Sequence, residues 1–511
     1  MKILDCTLRD GGYYTNWDFE KSLVEDYLLS LNNLPIDYIE VGYRNTVKSK
    51  YLGEYYYCPT YILESIKKIS SKKLVIILDE KDVSERDVIV LLGPCIGLIS
   101  MVRIAIDPKN FKRALGVAEK VKQLGFEVGF NVMYMSRWKY EIEFLNQLKS
   151  VDGLADYFYM VDSYGGVYPD TVKETIDMVK SRADLVLGFH GHNNLEMALA
   201  NTLAAIEYGV EIVDATITGM GRGAGNLKTE LLLTVLNNKI DLEVDFNSLS
   251  KVTDRFTELQ NVHQWGTNLP YMVSGSNSLP QKEVMEWVGK RYYSFNSIIR
   301  ALQNKKGGME DNLKLGLFKP ETFNKAVLII GGGPTALNQS EPIIKFLESN
   351  PDIAIIHASS KNSAPYINLK NKQYFCLVGN EGHRLEDIFR NYTNFNSLCI
   401  LPPYPRKMGT YIPEIVYNTT FELESIDFTN QVQDSHTVLA LQTALNLKAD
   451  KIYVVGYDGY QGNNIMEKEQ ELFIENEMLF KDLVNQGVVL SSLTPTKYKS
   501  LSSQSIYGLL I

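Results

Sequence analysis

Two short stretches of this 511-residue chain carry side chains whose types and spacing suit metal chemistry. Residues 188–194 read Gly-Phe-His-Gly-His-Asn-Asn, and residues 7–12 read Thr-Leu-Arg-Asp-Gly-Gly. In a strand, residues i and i+2 face the same side, so His190 and His192 aim at one point. Asp10 offers a hard oxygen ligand from another strand end. Two imidazole nitrogens and one carboxylate leave positions open on a divalent ion, the condition for Lewis-acid catalysis. A lone histidine is more often a hydrogen-bonded structural residue than a ligand. Three such groups converging need partners if buried, and a metal supplies one. An oxygen-rich site with two imidazoles and no thiolate suits Mn²⁺ or Mg²⁺ better than Zn²⁺.

The elements that must position these groups follow from the pattern of apolar runs. Ile3–Leu8, Tyr38–Tyr43, Leu74–Leu78, Ile99–Ile106, Glu127–Met133, Tyr157–Val161, Leu185–His190 and Ile212–Ile217 read as strands, each followed by enough chain for a helix. Alternating strand and helix implies a parallel sheet, and eight units in about 235 residues predict a (β/α)8 TIM barrel over 1–235, with an open doubly wound sheet as the alternative. The barrel is favoured by where polar residues fall. Arg9, Asp10, Tyr43, Arg44, Asp107, Asn131, Asp162, Ser163, His190, His192 and Thr216 lie at or near strand C-terminal ends, the face on which barrel active sites are built. A helical extension is expected over 236–320, from Phe246–Gln260, Gln281–Val288 and Ser294–Gln303, with a flexible break at Lys305–Gly308. A second, Rossmann-like α/β domain is expected over 321–511. Its strand candidates are Lys325–Ile330, Ile353–His357, Phe375–Val378, Leu398–Leu401 and Lys451–Val455.

A hydrophobic content of 45%, a charged content of 22% and a net charge of −9 are those of an ordinary globular protein without a nucleic-acid or anionic-membrane surface. No run of 18 apolar residues suggests a membrane span, and the N-terminus lacks a signal-peptide core, so a cytoplasmic location is expected. The five cysteines are odd in number and scattered, without CxxC spacing, which points to buried reduced thiols.

Five motifs then occur in order: Asp5–Gly12, Ile39–Gly42, Asp162–Gly166, Gly188–Asn194 and Asp214–Asn226. Together they resemble the DRE-TIM metallolyases, the superfamily of 3-hydroxy-3-methylglutaryl-CoA lyase, isopropylmalate synthase and, nearest in pattern, 4-hydroxy-2-oxovalerate aldolase. The resemblance covers about residues 1–290. It implies a lyase or aldolase that makes or breaks a carbon–carbon bond beside a 2-oxo acid such as pyruvate, through a metal-stabilised enolate. The second substrate would be an aldehyde or acyl acceptor, and a homo-oligomer is compatible. Asp10, His190 and His192 match the family's metal ligands, and Asn226 a position that ligates or approaches the metal. Arg9 matches the arginine that steadies the enolate oxygen, and Glu40 the glutamate that orients the arginine or the metal-site water. On the residues alone, Arg9 and Glu40 could equally be a barrel ion pair. Asp162 and Ser163 fit either substrate contact or a cap on the helix after the sixth strand. Gly219, Gly221, Gly223 and Gly225 either permit tight turns or bring N–H groups toward a carboxylate. Arg222 among them reads a substrate phosphate or carboxylate, or is a plain surface arginine.

One position departs from the aldolases. They carry a histidine four residues beyond the arginine, and this chain has Tyr13 there, a weaker base than imidazole at neutral pH. The Claisen-condensing synthases, which show Arg-Asp-Gly-Glu-Gln at the first strand, are disfavoured by Gly12-Tyr13. In the second domain Gly331-x-Gly333-x-x-Ala336 follows a strand and fits a relaxed dinucleotide fingerprint. The ribose-binding acid expected after the next strand is missing, which disfavours NAD. Asp434–Thr437 and Lys451–Gly459 resemble 6-hydroxymethylpterin pyrophosphokinase-like domains. That likeness implies a nucleotide or nucleotide-sugar ligand near Ser435, His436 and Asp458, and a bifunctional transferase as the alternative function.

Overall fold

A computed structural model of the chain describes residues 1–49, 51–289, 295–308, 313–320, 325–379, 381–390, 397–406, 408, 411–460 and 467–510. Ser294, where one expected helix begins, and residues 321–324, where the second domain was expected to open, lie outside them. The chain divides into two units, Met1–Met285 and Glu286–Ile511.

The first unit is a closed eight-stranded parallel barrel. Its strands are β1 (Lys2–Asp5), β2 (Tyr38–Tyr43), β3 (Lys73–Asp79), β4 (Met101–Ile106), β5 (Glu127–Val132), β6 (Tyr157–Asp162), β7 (Leu187–Gly191) and β8 (Ile212–Ala215). Closure runs through β1 and β8, with Leu4 opposite Asp214 and Asp5 opposite Ala215. The strands are buried almost end to end because the barrel interior and the helical shell cover both faces. Leu4, Cys6, Tyr38, Val75, Met101, Tyr157, Tyr159, Val161 and Ile212 pack as one cluster, distinct from the larger cluster that joins strands to helices. Arg103, fully buried, stands in β4 with its guanidinium 4.0 Å from the centre of the Tyr159 ring. A side chain at Gly129 would meet it, since a Cβ there comes within 2.9 Å of Arg103 Cγ.

The first strand is shorter than its apolar run predicts. It ends at Asp5, and residues 7–15 form a helix instead. The buried Asp5 carboxylate turns the chain: Oδ1 accepts from Thr7 N at 2.9 Å, Thr7 Oγ1 at 2.6 Å and Tyr27 Oη at 2.6 Å, while Oδ2 accepts from Thr229 Oγ1 at 2.7 Å. Arg9 and Asp10 therefore sit on the opening turns of a helix rather than at a strand end. Helices Phe246–His263 and Leu269–Ser276 belong to this unit. The second of them is started by the Asn268 side chain, which accepts from Tyr271 N at 3.1 Å.

The second unit is a parallel eight-stranded sheet. In chain order its strands are β9 (Ala326–Ile330), β10 (Ala354–His357), β11 (Gln373–Cys376), β12 (Leu398–Leu401), β13 (Thr420–Glu422), β14 (Lys451–Val455), β15 (Val489–Ser492) and β16 (Ser502–Ser503). In space they run β13-β12-β11-β10-β9-β14-β15-β16, a doubly wound order that reverses between β9 and β14. Lys305 and Lys306 do not form the break expected there, because they complete the helix Phe295–Lys306. All five cysteines are buried and unpaired. Among the described residues no helix is long and apolar enough to cross a membrane.

Candidate metal centre

The three residues singled out at the start meet at the C-terminal mouth of the barrel. One ligand atom each from Asp10, His190 and His192 lie within 4.8 Å of one another, and all three residues are buried. His190 is on β7 and His192 just beyond it, bridged antiparallel to Asn226 in the loop after β8. The glycine pair after Asp10 is a packing requirement. A Cβ on Gly11 would lie 2.5 Å from Met220 Sδ, and one on Gly12 would lie 2.1 Å from Trp17 Cδ1. Trp17 in turn donates its Nε1–H to the Arg9 carbonyl at 2.9 Å, which anchors the turn that carries Arg9 and Asp10.

Both imidazoles are oriented from behind. His192 Nδ1 lies 2.8 Å from the Asp162 carbonyl oxygen, an acceptor only, so Nδ1 carries the hydrogen and Nε2 keeps its lone pair. Burial, with the neighbouring His190, pushes the His192 imidazole down to about 3, so it is neutral. His190 Nδ1 lies 2.8 Å from Asp214 Oδ2, the carboxylate–histidine arrangement common behind metal ligands. That leaves His190 Nε2, which is buried without a hydrogen-bond partner and stands 3.7 Å from Asp10 Oδ2. Asn226 donates Nδ2–H to Asp10 Oδ2 at 2.6 Å, and its own Oδ1 is a second buried atom without a partner. Buried polar atoms are rarely left unpaired, so His190 Nε2 beside the Asp10 carboxylate fits a metal ligand. Burial by itself would raise the Asp10 carboxyl, but Arg9 and the two imidazoles outweigh it and hold it at about 2. The donor set therefore suits a divalent ion: one ionised carboxylate and two imidazoles, with the Asn226 carboxamide beside them. A second grouping, Cys6, His190 and Asp214, is a poorer fit. Burial raises the Cys6 thiol far above its ordinary range, and Asp214 is already engaged by Arg103.

The charges form a ring. Arg9 contacts Asp10 through Nη1 and Glu40 through Nε at 2.6 Å. Glu40 Oε1 lies 3.4 Å from Arg103 Nη1, and Arg103 Nη2 lies 2.6 Å from Asp214 Oδ2, which returns to His190. Arg9 and Glu40 are thus an ion pair and also neighbours of the centre, so the two sequence readings coincide. Apart from the imidazoles, the ring's three carboxylates and two guanidiniums leave one negative charge. A divalent cation would make the pocket cationic and receptive to an anionic substrate. Arg103 and Asp214 had been given no role from sequence. The signal was the single arginine inside the apolar run Met101–Ile106, which a barrel interior tolerates only with carboxylate partners.

Asp162 and Ser163 are held by their own loop. Asp162 accepts from Gly166 N and Val167 N, both at 3.2 Å, and Ser163 Oγ accepts from Tyr134 N at 2.9 Å. The helix after β6 begins at Pro169 with Tyr168 before it, so neither residue caps it. Burial raises the Asp162 carboxyl to about 6, against the pull of those amides. Tyr13 lies at the rim, its hydroxyl 3.2 Å from that of Tyr43 and its ring 4.9 Å from Trp17.

In the second unit Gly331, Gly333 and Asp458, the expected cofactor residues, are each engaged with other groups of the chain. Gly331 N donates to Val455 O at 2.9 Å and Gly333 N to Gly456 O at 2.8 Å, so these amides are spent within the sheet crossover. Asp458 accepts from Thr335 N at 3.0 Å and also from its hydroxyl, at the start of the helix Thr335–Asn338. Ser435 accepts from Val438 N at 3.1 Å as a helix cap, and His436 lies 3.5 Å from the buried Glu381.

A family model described as HMGL-like matches residues 1–255. The 4-hydroxy-2-oxovalerate aldolase of Geobacillus thermodenitrificans is 33% identical over 248 residues, 46% of this chain and 69% of that one. The oxaloacetate decarboxylase of Mycobacterium tuberculosis is 24% identical over 319 residues, 60% of this chain and 92% of its own. A crystallised N-terminal domain of an aldolase candidate from Bacteroides vulgatus is 56% identical with a TM-score of 0.57. It covers 59% of this chain and 100% of that one.

Proposed function

The chain belongs to the HMGL-like (DRE-TIM) family of lyases and aldolases, and from that premise we propose that its barrel makes or breaks a carbon–carbon bond beside the carbonyl of a pyruvate-type 2-oxo acid. Aldolases of this family depend on a divalent metal. The observation that supports the reading is the convergence of Asp10, His190 and His192, with His190 Nε2 buried, unpartnered and 3.7 Å from Asp10 Oδ2. Asp10, His190 and His192, with Asn226 beside them, would hold Mn²⁺ or Mg²⁺. When bound, such an ion supplies Lewis-acid charge to the keto and carboxylate oxygens of the substrate.

The remaining work belongs to the chain's own residues. Arg9 has its Nε and Nη1 fixed by Glu40 and Asp10, while Nη2 has no hydrogen-bond partner among the described residues. It offers that N–H to the negative charge that develops on the keto oxygen when C3 loses its substituent or proton. Glu40 keeps the guanidinium in place, itself held by Arg103. Tyr13 stands where the aldolases carry histidine. As a phenol hydrogen-bonded to Tyr43 it suits donation to the oxygen formed from the acceptor carbonyl better than abstraction.

Deuterium exchange into the methyl group of pyruvate, with added Mn²⁺ and no acceptor, tests the reading. The wild-type protein should exchange and chelator-treated protein should not. Absence of exchange in the metal-supplied wild type would overturn it.

A further inference from the structure

The family resemblance leaves the second substrate at an aldehyde or acyl acceptor, and the loop after β8 bears on its charge. Arg222 lies in Gly219–Asn226, between Gly221 and Gly223. The loop is pinned from several sides. Tyr14 donates its hydroxyl to Gly223 O at 2.9 Å, Asn226 N donates to Gly219 O at 3.1 Å, and Asn193 N to Gly225 O at 2.8 Å. Gly223 and Gly225 hold φ of +68° and +78°, which side-chain-bearing residues rarely adopt. Arg222 is thus presented on a fixed backbone. Its guanidinium lies 5.6 Å from the centre of the Tyr13 ring, and its charge is felt at both His192 and Tyr164. Among the described residues it has neither a carboxylate nor a hydrogen-bond partner, unlike Arg9, Arg103 and Arg137, which donate to Glu40, Asp214 and the Ser278 carbonyl. Arg137 lies 4.9 Å from the centre of the Tyr164 ring, where the charge of Asp107 is also felt. A partly exposed guanidinium, stacked on the residue in the base position and lacking an internal anion, is placed to receive one from the substrate.

Resting on the 2-oxo acid reading, we propose that Arg222 is the specificity residue for the acceptor: it binds a carboxylate or phosphate on the aldehyde, remote from the carbon that forms the new bond. Tyr13 serves both halves of the acceptor, its ring supporting Arg222 and its hydroxyl facing the carbonyl oxygen.

The test is a ratio, which general damage to the enzyme leaves alone. With pyruvate as donor, kcat/KM is measured for succinic semialdehyde, for glyceraldehyde 3-phosphate and for neutral propanal, in wild type, Arg222→Ala and Arg222→Lys. The ratio of the favoured anionic aldehyde to propanal should fall by about 10- to 100-fold in Arg222→Ala, the scale of a lost charge-assisted hydrogen bond, and be partly restored in Arg222→Lys. A carboxylate site favours the semialdehyde and a phosphate site the phosphate ester. Calorimetric titration with succinate or inorganic phosphate should show the matching loss of affinity in Arg222→Ala. Ratios unmoved for both anionic aldehydes would overturn the assignment even while wild type exchanges deuterium into pyruvate. No exchange in wild type would remove the proposed function and this inference with it.

Discussion

The ring Asp10–Arg9–Glu40–Arg103–Asp214–His190 explains why so many charged groups survive in a barrel interior. Each buried charge faces an opposite one, and breaking such a network leaves an uncompensated ion. Arg103→Met should therefore destabilise the barrel by about 3–5 kcal/mol, read from denaturant unfolding. Asp214→Asn keeps the shape but weakens the hold on His190 Nδ1, and should lower Mn²⁺ affinity by about 10- to 100-fold in a calorimetric titration. An unchanged affinity would mean that Asp214 serves only Arg103. Tyr13→Phe removes the hydroxyl next to Tyr43 and should cost about 100-fold in kcat for aldol formation, measured with pyruvate and an aldehyde.

At the scale of elements, most of the barrel was legible because parallel strands buried on both faces read as short apolar runs; Tyr38–Tyr43 matches its predicted bounds. What was hidden was hidden for physical reasons. The end of β1 is set by a buried aspartate that gathers Thr7, Tyr27 and Thr229, and two of those partners are distant in sequence. The short strands β13, β15 and β16 were missed because they are only two to four residues long and, in β15 and β16, rich in serine. The histidine spacing exposed the metal triad, whereas Arg103 and Asp214 take their meaning from a ring that only barrel closure assembles. At the Gly331–Ala336 pattern the sequence did not show that Asp458, 123 residues on, accepts from Thr335. The helix Thr7–Thr15 offers a direct test of packing. Gly12→Ala forces a Cβ into Trp17, and overpacking of this kind should cost about 1–3 kcal/mol in thermal or chemical unfolding.

At the scale of the whole molecule, buried groups set the response to acid. In the second unit His357 is fully buried against Phe375, and burial pushes its imidazole down to about 4 from 6.5. Burial would raise Glu381, but His436, Arg384 and Ser360 outweigh it and hold it at about 2, below its ordinary 4.5. Both folded values are depressed. Their stabilising contributions are present above the unfolded values and are lost as pH falls, for His357 from about 6.5 toward 4 and for Glu381 from 4.5 toward 2. Melting of the full chain should therefore show a transition whose midpoint drops between pH 6.5 and 4, and His357→Gln should flatten that dependence. In the first unit the account rests on a cation held by the mouth of the barrel. Manganese anomalous scattering from crystals grown with Mn²⁺ tests this most directly. The prediction is one strong peak bonded to the Asp10 carboxylate and to Nε2 of His190 and His192, with Asn226 alongside. No peak there at saturating manganese, or one bound by other residues, would contradict it.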